Sequence, residues 1–188
     1  LRAKTTSIDY NIAKIDEASS VKWIDCYTNC TLLRSEKISL LSGRESNASI
    51  KTIFIGKKFD QLDIEASAIH NAPNTTSEIQ AKGVLENSSK NIYRGLIHMT
   101  ASAENSTGKQ KEEVLILSEA AEASSIPKLV IDNNNVKCAH AASIGHIDAE
   151  KLFYLQSRGL SDAAARQTIV DGFLEPIKNQ LNPDVILQ

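Results

Sequence analysis

Short apolar runs separated by polar turn clusters recur along the first 140 residues, and this pattern constrains the fold more than any other feature. Glycine and proline are scarce, at 8 and 4 residues, so the turns depend on other residue types. Asparagine adopts left-handed conformations more readily than other non-glycine residues, and it is frequent in these clusters. The pattern therefore predicts many short strands, with runs at 50–55, 62–69, 79–85, 92–99, 114–117 and 129–131.

Two all-β architectures fit strands of this length and spacing. Evenly spaced short strands with frequent turns are typical of a sandwich or barrel. The stacked coils of a parallel β-helix, with Asn-rich corners, produce the same texture. Alternation of apolar and polar residues does not distinguish the two, so both remain open at this point.

The pattern becomes helical after residue 147. Asp148 is predicted to cap a first helix, and Gly159 stands where a glycine commonly ends one. A second helix is predicted to follow Ser161 and to be kinked or ended by Pro176. Its apolar stripe repeats every four residues and is predicted to pack structurally on the β-core, with members Ala165, Ile169, Phe173 and Ile177 and with Val170 and Leu174 beside them. We divide the chain into a β-core over 1–146 and a C-terminal helical segment over 147–188.

Charge and hydropathy exclude several classes of protein. A net charge of −2 gives no basic footprint, so no nucleic-acid partner is expected. No apolar run approaches the roughly 20 residues that span a bilayer, and the N-terminus lacks the apolar region of a secretory signal. The chain begins with leucine, and we expect a fragment or a short homologue.

Cysteine and asparagine usage bear on the compartment. Three cysteines, an odd number, argue against a disulfide scaffold, and Cys26 and Cys30 are expected to be free thiols. Five N-x-S/T matches are typical of secreted glycoproteins, but Asn, Ser and Thr are also the turn residues of a strand-rich chain. Without a secretory signal, we expect a cytoplasmic protein.

Cys138 and His140 form the most informative pair of side chains. On an extended segment, residues two apart share a face, and a thiolate beside an imidazole suits iron or zinc. Taken alone, Cys138 would more often be a small buried residue and His140 a satisfied polar one. A catalytic thiolate–imidazolium pair is less favoured, because the two Cα atoms lie roughly 6–7 Å apart on a flat strand.

Six sequence blocks in order resemble the SufB/SufD family, the scaffold proteins of the Suf iron–sulfur cluster assembly system. SufB-like sequences usually carry glutamate where Cys138 stands, so the resemblance is to the C-terminal portion of SufD. The blocks are I-H-N-A-P-N-T-T-S-E-I-Q-A-K-G-V-L (69–85), N-I-Y-R-G-L-I (91–97), G-K-Q-K-E-E-V-L-I-L-S (108–118), I-P-K-L-V-I (126–131), V-K-C-A-H-A-A-S-I-G-H-I-D-A-E-K-L-F-Y-L-Q-S-R-G (136–159) and R-G-L-S-D-A-A-A-R-Q-T-I-V-D-G-F (158–173).

This resemblance implies a right-handed parallel β-helix with a short C-terminal helical segment. It places Cys138 and His140 at an interface with SufB, where an iron–sulfur cluster forms transiently. Such clusters generally take four protein ligands, so SufB would supply the others and the isolated chain would hold no cofactor. His70 matches a family histidine before an A-P-x-T turn and is expected to be structural.

The resemblance also implies a non-enzymatic scaffold that pairs with SufB and docks the ATPase SufC. The stretch around Gly108 and Lys109 lacks the remaining residues of a P-loop, which leaves ATP hydrolysis to SufC. We expect the helical segment to dock SufC, with candidate contacts at Phe153, Tyr154, Arg158 and Gly159.

Three alternatives are kept. The chain could be a SufB-like paralogue that carries the main cluster site, although Cys138 argues against this. An unpaired strand edge also allows a homodimer of the isolated domain. A β-helix carbohydrate-active enzyme would need paired carboxylates and aromatic sugar platforms, and aromatic residues are 5% of the chain.

Overall fold

A computed structural model describes residues 5–181, and its ten strands alternate between two five-stranded parallel sheets. Consecutive strands lie in different sheets, so the chain winds into five stacked coils. The parallel β-helix that the family resemblance implies is confirmed, and the sandwich and barrel are excluded. The elements are β1 (Thr6–Ile15), β2 (Ser20–Thr28), β3 (Leu32–Leu41), β4 (Asn47–Gly56), β5 (Gln61–His70), β6 (Thr76–Leu85), β7 (Lys90–Met99), β8 (Thr107–Ile116), β9 (Glu122–Ile131), β10 (Lys137–His146), α1 (Ala149–Ser157) and α2 (Asp162–Lys178).

The two sheets have regular, unbroken registers. Sheet A has the strand order β1-β3-β5-β7-β9, and sheet B has the order β10-β8-β6-β4-β2. Each inward-facing residue therefore stacks on the inward-facing residue of the next coil; Ile64 pairs with Tyr93, and Ala81 pairs with Glu112. The interior consists of these stacks, and its largest fully buried side chains include Tyr93, Phe54, Ile50 and Met99.

Helix α2 covers part of the outer face of sheet B. Outward-facing residues of three strands, Ile53, Val84 and Leu115, form a second apolar cluster with Val170 and Leu174 of the helix. The covered part of β4 is therefore apolar on both faces, which explains why Ile53, Phe54 and Ile55 are consecutive apolar residues.

The ends of the helices agree with the sequence prediction. The carboxylate of Asp148 accepts hydrogen bonds from the backbone N–H groups of Glu150 and Lys151, and the Ser161 hydroxyl accepts one from Ala164. Gly159 has a φ of +96°, the left-handed region that favours glycine. Pro176 lies in the last turn of α2, so it falls where the helix is about to end.

The apolar stripe of α2 is rotated slightly from its predicted position. The buried residues are Ala165, Val170, Leu174 and Ile177. Ile169 and Phe173, predicted to be core, are half-buried at the edge of this cluster. The ammonium of Lys82 lies 4.2 Å from the centre of the Phe173 ring, so that ring faces a cation as well as the core.

Left-handed residues turn the chain at the corners between sheets. Four of them are asparagines, as the turn composition predicts: Asn29, Asn74, Asn87 and Asn105. Corners also stack on one another, since the Asn87 side-chain oxygen accepts a hydrogen bond from the Lys58 N–H one coil earlier, at 3.0 Å. Within residues 5–181, no helix is both long and apolar enough to cross a membrane.

The first three strands do not stand out in the sequence as apolar runs. Their inward positions include Asp9, Asp25 and Lys37, which break the apolar alternation. The ammonium of Lys37 forms ion pairs with both carboxylates, so these charges are paired inside the first coils. Tyr27 donates a further hydrogen bond to Asp9, at 2.7 Å.

Gly83 provides a test of the interior packing. A Cβ at this position would lie 2.1 Å from the Phe54 ring, whose other neighbour is the stacked Tyr93 ring. We expect Gly83→Ala to lower the free energy of unfolding by about 1–3 kcal/mol, because the ring cannot move away freely. Gly145→Ala, where nothing lies within 4 Å, should change it by less than about 0.5 kcal/mol. Equal changes in the free energy of unfolding for the two variants, measured by urea denaturation, would contradict this packing.

Candidate functional site at the open end of the solenoid

The coil formed by β9 and β10 ends the solenoid within residues 5–181. Each of these strands pairs with a neighbour on one side and is the last strand of its sheet. Ile131 and Ile144 occupy inward positions, but they are 48% and 43% exposed because no further coil covers them. Uncovered strand edges beside exposed apolar side chains are surfaces on which another chain can pair.

Cys138 and His140 lie on this open coil and on the same face. Cys138 pairs in register with Gly108, and His140 pairs with Gln110, so both continue the inward-facing stacks of sheet B. Cys138 is half-buried and packs against the core, whereas His140 is exposed. A recess of about 280 Å³ that His140 also lines is formed mainly by outward-facing residues of β6, β8 and β10, such as Gln80, Lys109 and Ala141, and so lies on the outer face of sheet B. The structure thus brings the predicted pair together at the rim, and its role in metal binding stays a prediction.

The thiol of Cys138 is held in its protonated form. Burial raises its pKa, and a backbone hydrogen bond with Gly108 opposes this in part. Because a thiolate is the metal-binding form, a metal at this position would have to displace the proton. All three cysteines are free, and within residues 5–181 no three or more His, Cys, Asp or Glu side chains are arranged to hold a metal ion.

A polar layer beneath the open coil was missed by the sequence analysis. Glu112 and Gln110 are inward-facing residues of β8 and are only 1% and 3% exposed. Glu112 accepts a hydrogen bond from the Ser125 hydroxyl, while its other oxygen and both amide atoms of Gln110 have no hydrogen-bond partner in the part of the chain that the structure describes. Burial raises the pKa of Glu112 to about 7. The alternation in G-K-Q-K-E-E-V could have indicated these inward positions, since lysines occupy the outward ones.

The predicted SufC-binding residues lie on an exposed helix. None of the residues of α1 is buried, and Phe153 and Tyr154 are 72% and 56% exposed. The Arg158 guanidinium lies 5.3 Å from the centre of the Tyr154 ring, with Gly159 directly after it. A groove of about 930 Å³ runs between α1, α2 and the end of β10, and its lining includes Tyr154 and the half-buried Phe173.

His70, predicted to be structural, is fully buried at the end of β5. Its ring nitrogens lie 2.7 Å and 2.8 Å from the hydroxyls of Thr75 and Ser77. Burial lowers the pKa of His70 to about 4, so the ring is neutral at physiological pH. Both nitrogens are therefore engaged within the protein.

Together these features define a two-sheet parallel β-solenoid protein with an uncovered terminal coil, a C-terminal helix α2 packed on sheet B and an exposed helix α1. The family described as "SUF system FeS cluster assembly, SufBD core domain" matches residues 1–173. The chain therefore belongs to the SufB/SufD family of Suf-system iron–sulfur cluster assembly proteins.

Individual relatives agree with this assignment. The chain is 32% identical over 167 residues to an iron–sulfur cluster assembly SufBD family protein of Staphylococcus epidermidis, covering 89% of this chain and 36% of that protein. It is also 32% identical over 166 residues to the iron–sulfur cluster assembly protein SufB of Bacillus subtilis, covering 88% of this chain and 36% of that protein. The chain thus spans about a third of the length of these relatives.

Glu112 gives a pH-dependent prediction. The unfolded chain releases this proton near the ordinary glutamate pKa of 4.5, whereas the folded protein keeps it until about pH 7. Between these values the unfolded state binds fewer protons, so Glu112 lowers the free energy of unfolding as pH rises, by on the order of 3 kcal/mol in total. Above pH 7 its contribution is constant.

Glu112→Gln should remove this contribution. The difference in free energy of unfolding between the two chains, measured by urea denaturation from pH 4.5 to 8, should therefore grow as pH rises and level off above pH 7. Taking the difference also cancels His70, whose lowered pKa destabilises the protein in the opposite direction, as pH falls from 6.5 towards 4. A difference independent of pH would show that Glu112 ionises normally.

Proposed function

We propose that the chain is a non-enzymatic, SufD-like scaffold of the Suf complex. The open terminal coil pairs with a SufB-like chain, and the C-terminal helices dock a SufC-like ATPase. The observation that carries this proposal is the terminal coil itself. It combines two unpaired strand edges, inward-facing but exposed Ile131 and Ile144, and the Cys138–His140 pair.

The open coil supports pairing because it is an incomplete part of a core. Inside the solenoid an inward-facing isoleucine such as Ile64 is 1% exposed, whereas Ile144 is 43% exposed. Covering such side chains and adding strands to both sheets would bury apolar area and satisfy backbone groups at once. The net charge of −2 favours a protein partner over a nucleic acid, which would attract a strongly basic surface.

The Cys138–His140 pair supports a role in holding the cluster during assembly. The cluster is the cargo of this system, and the two residues offer one sulfur and one nitrogen ligand at the rim of the proposed interface. A cluster generally needs four protein ligands, so the SufB-like partner would complete the set. Formation of the interface would therefore also form the site.

Cys138 distinguishes the SufD-like assignment from the SufB-like alternative. SufB-like sequences usually carry a glutamate at this position. The thiolate of a cysteine is a softer metal ligand than the carboxylate of a glutamate. The similarity to SufB of Bacillus subtilis is compatible with the SufB-like alternative, because SufB and SufD belong to one family.

A homodimer through the same coil is the second candidate. The exposed edges of β9 and β10 would serve a second copy of this chain as well as a SufB-like chain. Sedimentation of the isolated chain, alone and mixed with a SufB homologue, would distinguish the two arrangements.

The helices support docking of a partner because α1 is not stabilised by burial of its own residues. A nine-residue helix is marginal in isolation, and α1 leaves two large aromatic side chains in solvent. Tyr154 and Arg158 lie four residues apart and share a face of the helix, while Phe153 is exposed beside them.

His140→Ala tests the cluster site. The isolated chain should show no stable iron site, and its complex with a SufB homologue should assemble a cluster. The substitution should lower cluster yield several-fold, measured by visible absorbance and iron content, while circular dichroism and complex formation stay unchanged. Cys138→Ser should act similarly or more weakly.

His146→Ala, on the same face of the same strand, is the matched control and should retain the cluster. Unchanged yield in His140→Ala would refute the assignment.

Phe153→Asp tests the docking helices. A charge at this 72% exposed position should abolish binding of a SufC homologue in a pull-down or calorimetric titration without changing the melting temperature. Ile8→Asp is the matched control, since Ile8 is 79% exposed on β1 of sheet A, whereas α2 packs on sheet B. Binding that survives Phe153→Asp, and also truncation after Ile147, would place the docking surface elsewhere.

A further inference from the structure

The polar layer in the fourth coil lies directly beneath the open coil. The residues paired with it in the third coil are apolar. In the register of the sheets, Tyr93 and Glu112 stack on Ile64 and Ala81, which are apolar and buried. On the other side, toward the open end, they stack against Ser125 and Ala142. In these two stacks the inward residues thus change from apolar to polar one layer before the surface proposed for pairing.

This polar layer carries an energetic cost that the fold itself does not require. A buried polar group without a hydrogen bond destabilises a fold, and among the described residues Gln110 and Glu112 both carry such atoms. The amide of Gln110 fits because the facing residue is Gly95, where a Cβ would lie 1.9 Å from the amide nitrogen. Local departures from an apolar core, accommodated by a neighbouring glycine, are typical of functional positions.

One hydrogen bond in this layer reaches the edge strand of the other sheet. The Ser125 hydroxyl on β9 donates to the Glu112 carboxyl group on β8, across the interior between sheets A and B. The strand β9 pairs with β7 along its whole length, but no strand covers its other edge among the described residues, and its inward residues are half-buried or exposed. It also contains Pro127, and proline within a sheet is typical of an edge strand.

We propose that Glu112 is a positioning residue of the open edge, which through Ser125 holds β9 in the place where a second chain adds its strand. The inference rests on the pairing function proposed above. A strand that is already ordered loses less conformational entropy when it pairs, so the tie strengthens association without touching the partner. Glu112 itself is buried beneath the interface and contacts no partner.

Hydrogen–deuterium exchange of the isolated chain tests the position of β9 without any partner. Glu112→Leu and Ser125→Ala should each speed amide exchange in β9 by about tenfold, the factor that corresponds to a hydrogen bond of ordinary net strength, while β5 and β6 stay protected. Glu112→Gln keeps an oxygen that accepts from Ser125, so it should restore protection. Ser124→Ala, on the outer face of the same strand, is the matched control.

The same variants, titrated with a SufB homologue, test the consequence. Affinity should fall about tenfold for Glu112→Leu and for Ser125→Ala, and the double variant should fall no further, because both remove one interaction. Glu112→Gln and Ser124→Ala should bind as the parent chain does.

Two outcomes would overturn the proposal. Glu112→Leu could leave exchange in β9 unchanged, or it could speed exchange equally in every coil, which would indicate general destabilisation rather than positioning. A parent chain that does not bind the SufB homologue would instead overturn the pairing function, while the exchange data still decide whether Glu112 positions β9.

Discussion

In-register parallel stacking is the constraint on which the rest of this structure depends. Each inward-facing side chain lies on the inward-facing side chain of the neighbouring coil, as Ile64 lies beneath Tyr93. Residues in the middle coils are therefore covered on both sides, and residues of an end coil are covered on one. The same rule that builds the core leaves Ile131 and Ile144 exposed on the terminal coil, for which pairing with another chain is proposed.

The distribution of polar residues inside the solenoid follows from the same geometry. The first coils contain the charges of Lys37, Asp9 and Asp25, the third contains the hydrogen-bonded pair His70 and Ser77, and the fourth contains Glu112. At the start, one ammonium is shared by two carboxylates. Beneath the terminal coil the carboxyl group instead has one partner, Ser125, and a pKa raised to about 7. The proposals for Cys138 and for Glu112 therefore concern adjacent layers of one stack.

Short-range patterns let the sequence by itself determine local structure. Asp148 and Gly159 mark the ends of α1 because capping depends on a few neighbouring residues, and asparagine corners follow from the conformations that asparagine tolerates. The alternation of a strand likewise puts Cys138 and His140 on one face. The family, and with it the β-helix, was recognisable from ordered sequence blocks rather than from periodicity.

Only the tertiary structure decided what depends on residues far apart in the chain. Strand partners lie a whole coil away in sequence, so alternation could not choose between a sandwich and a solenoid. Nor could it show that α2 buries Val170 and Leu174 and leaves Phe173 half-buried, because this depends on where the helix crosses sheet B. Glu112 and His140 lie on neighbouring strands of sheet B, yet Glu112 is buried and His140 is exposed. The difference depends on whether another coil lies above each residue.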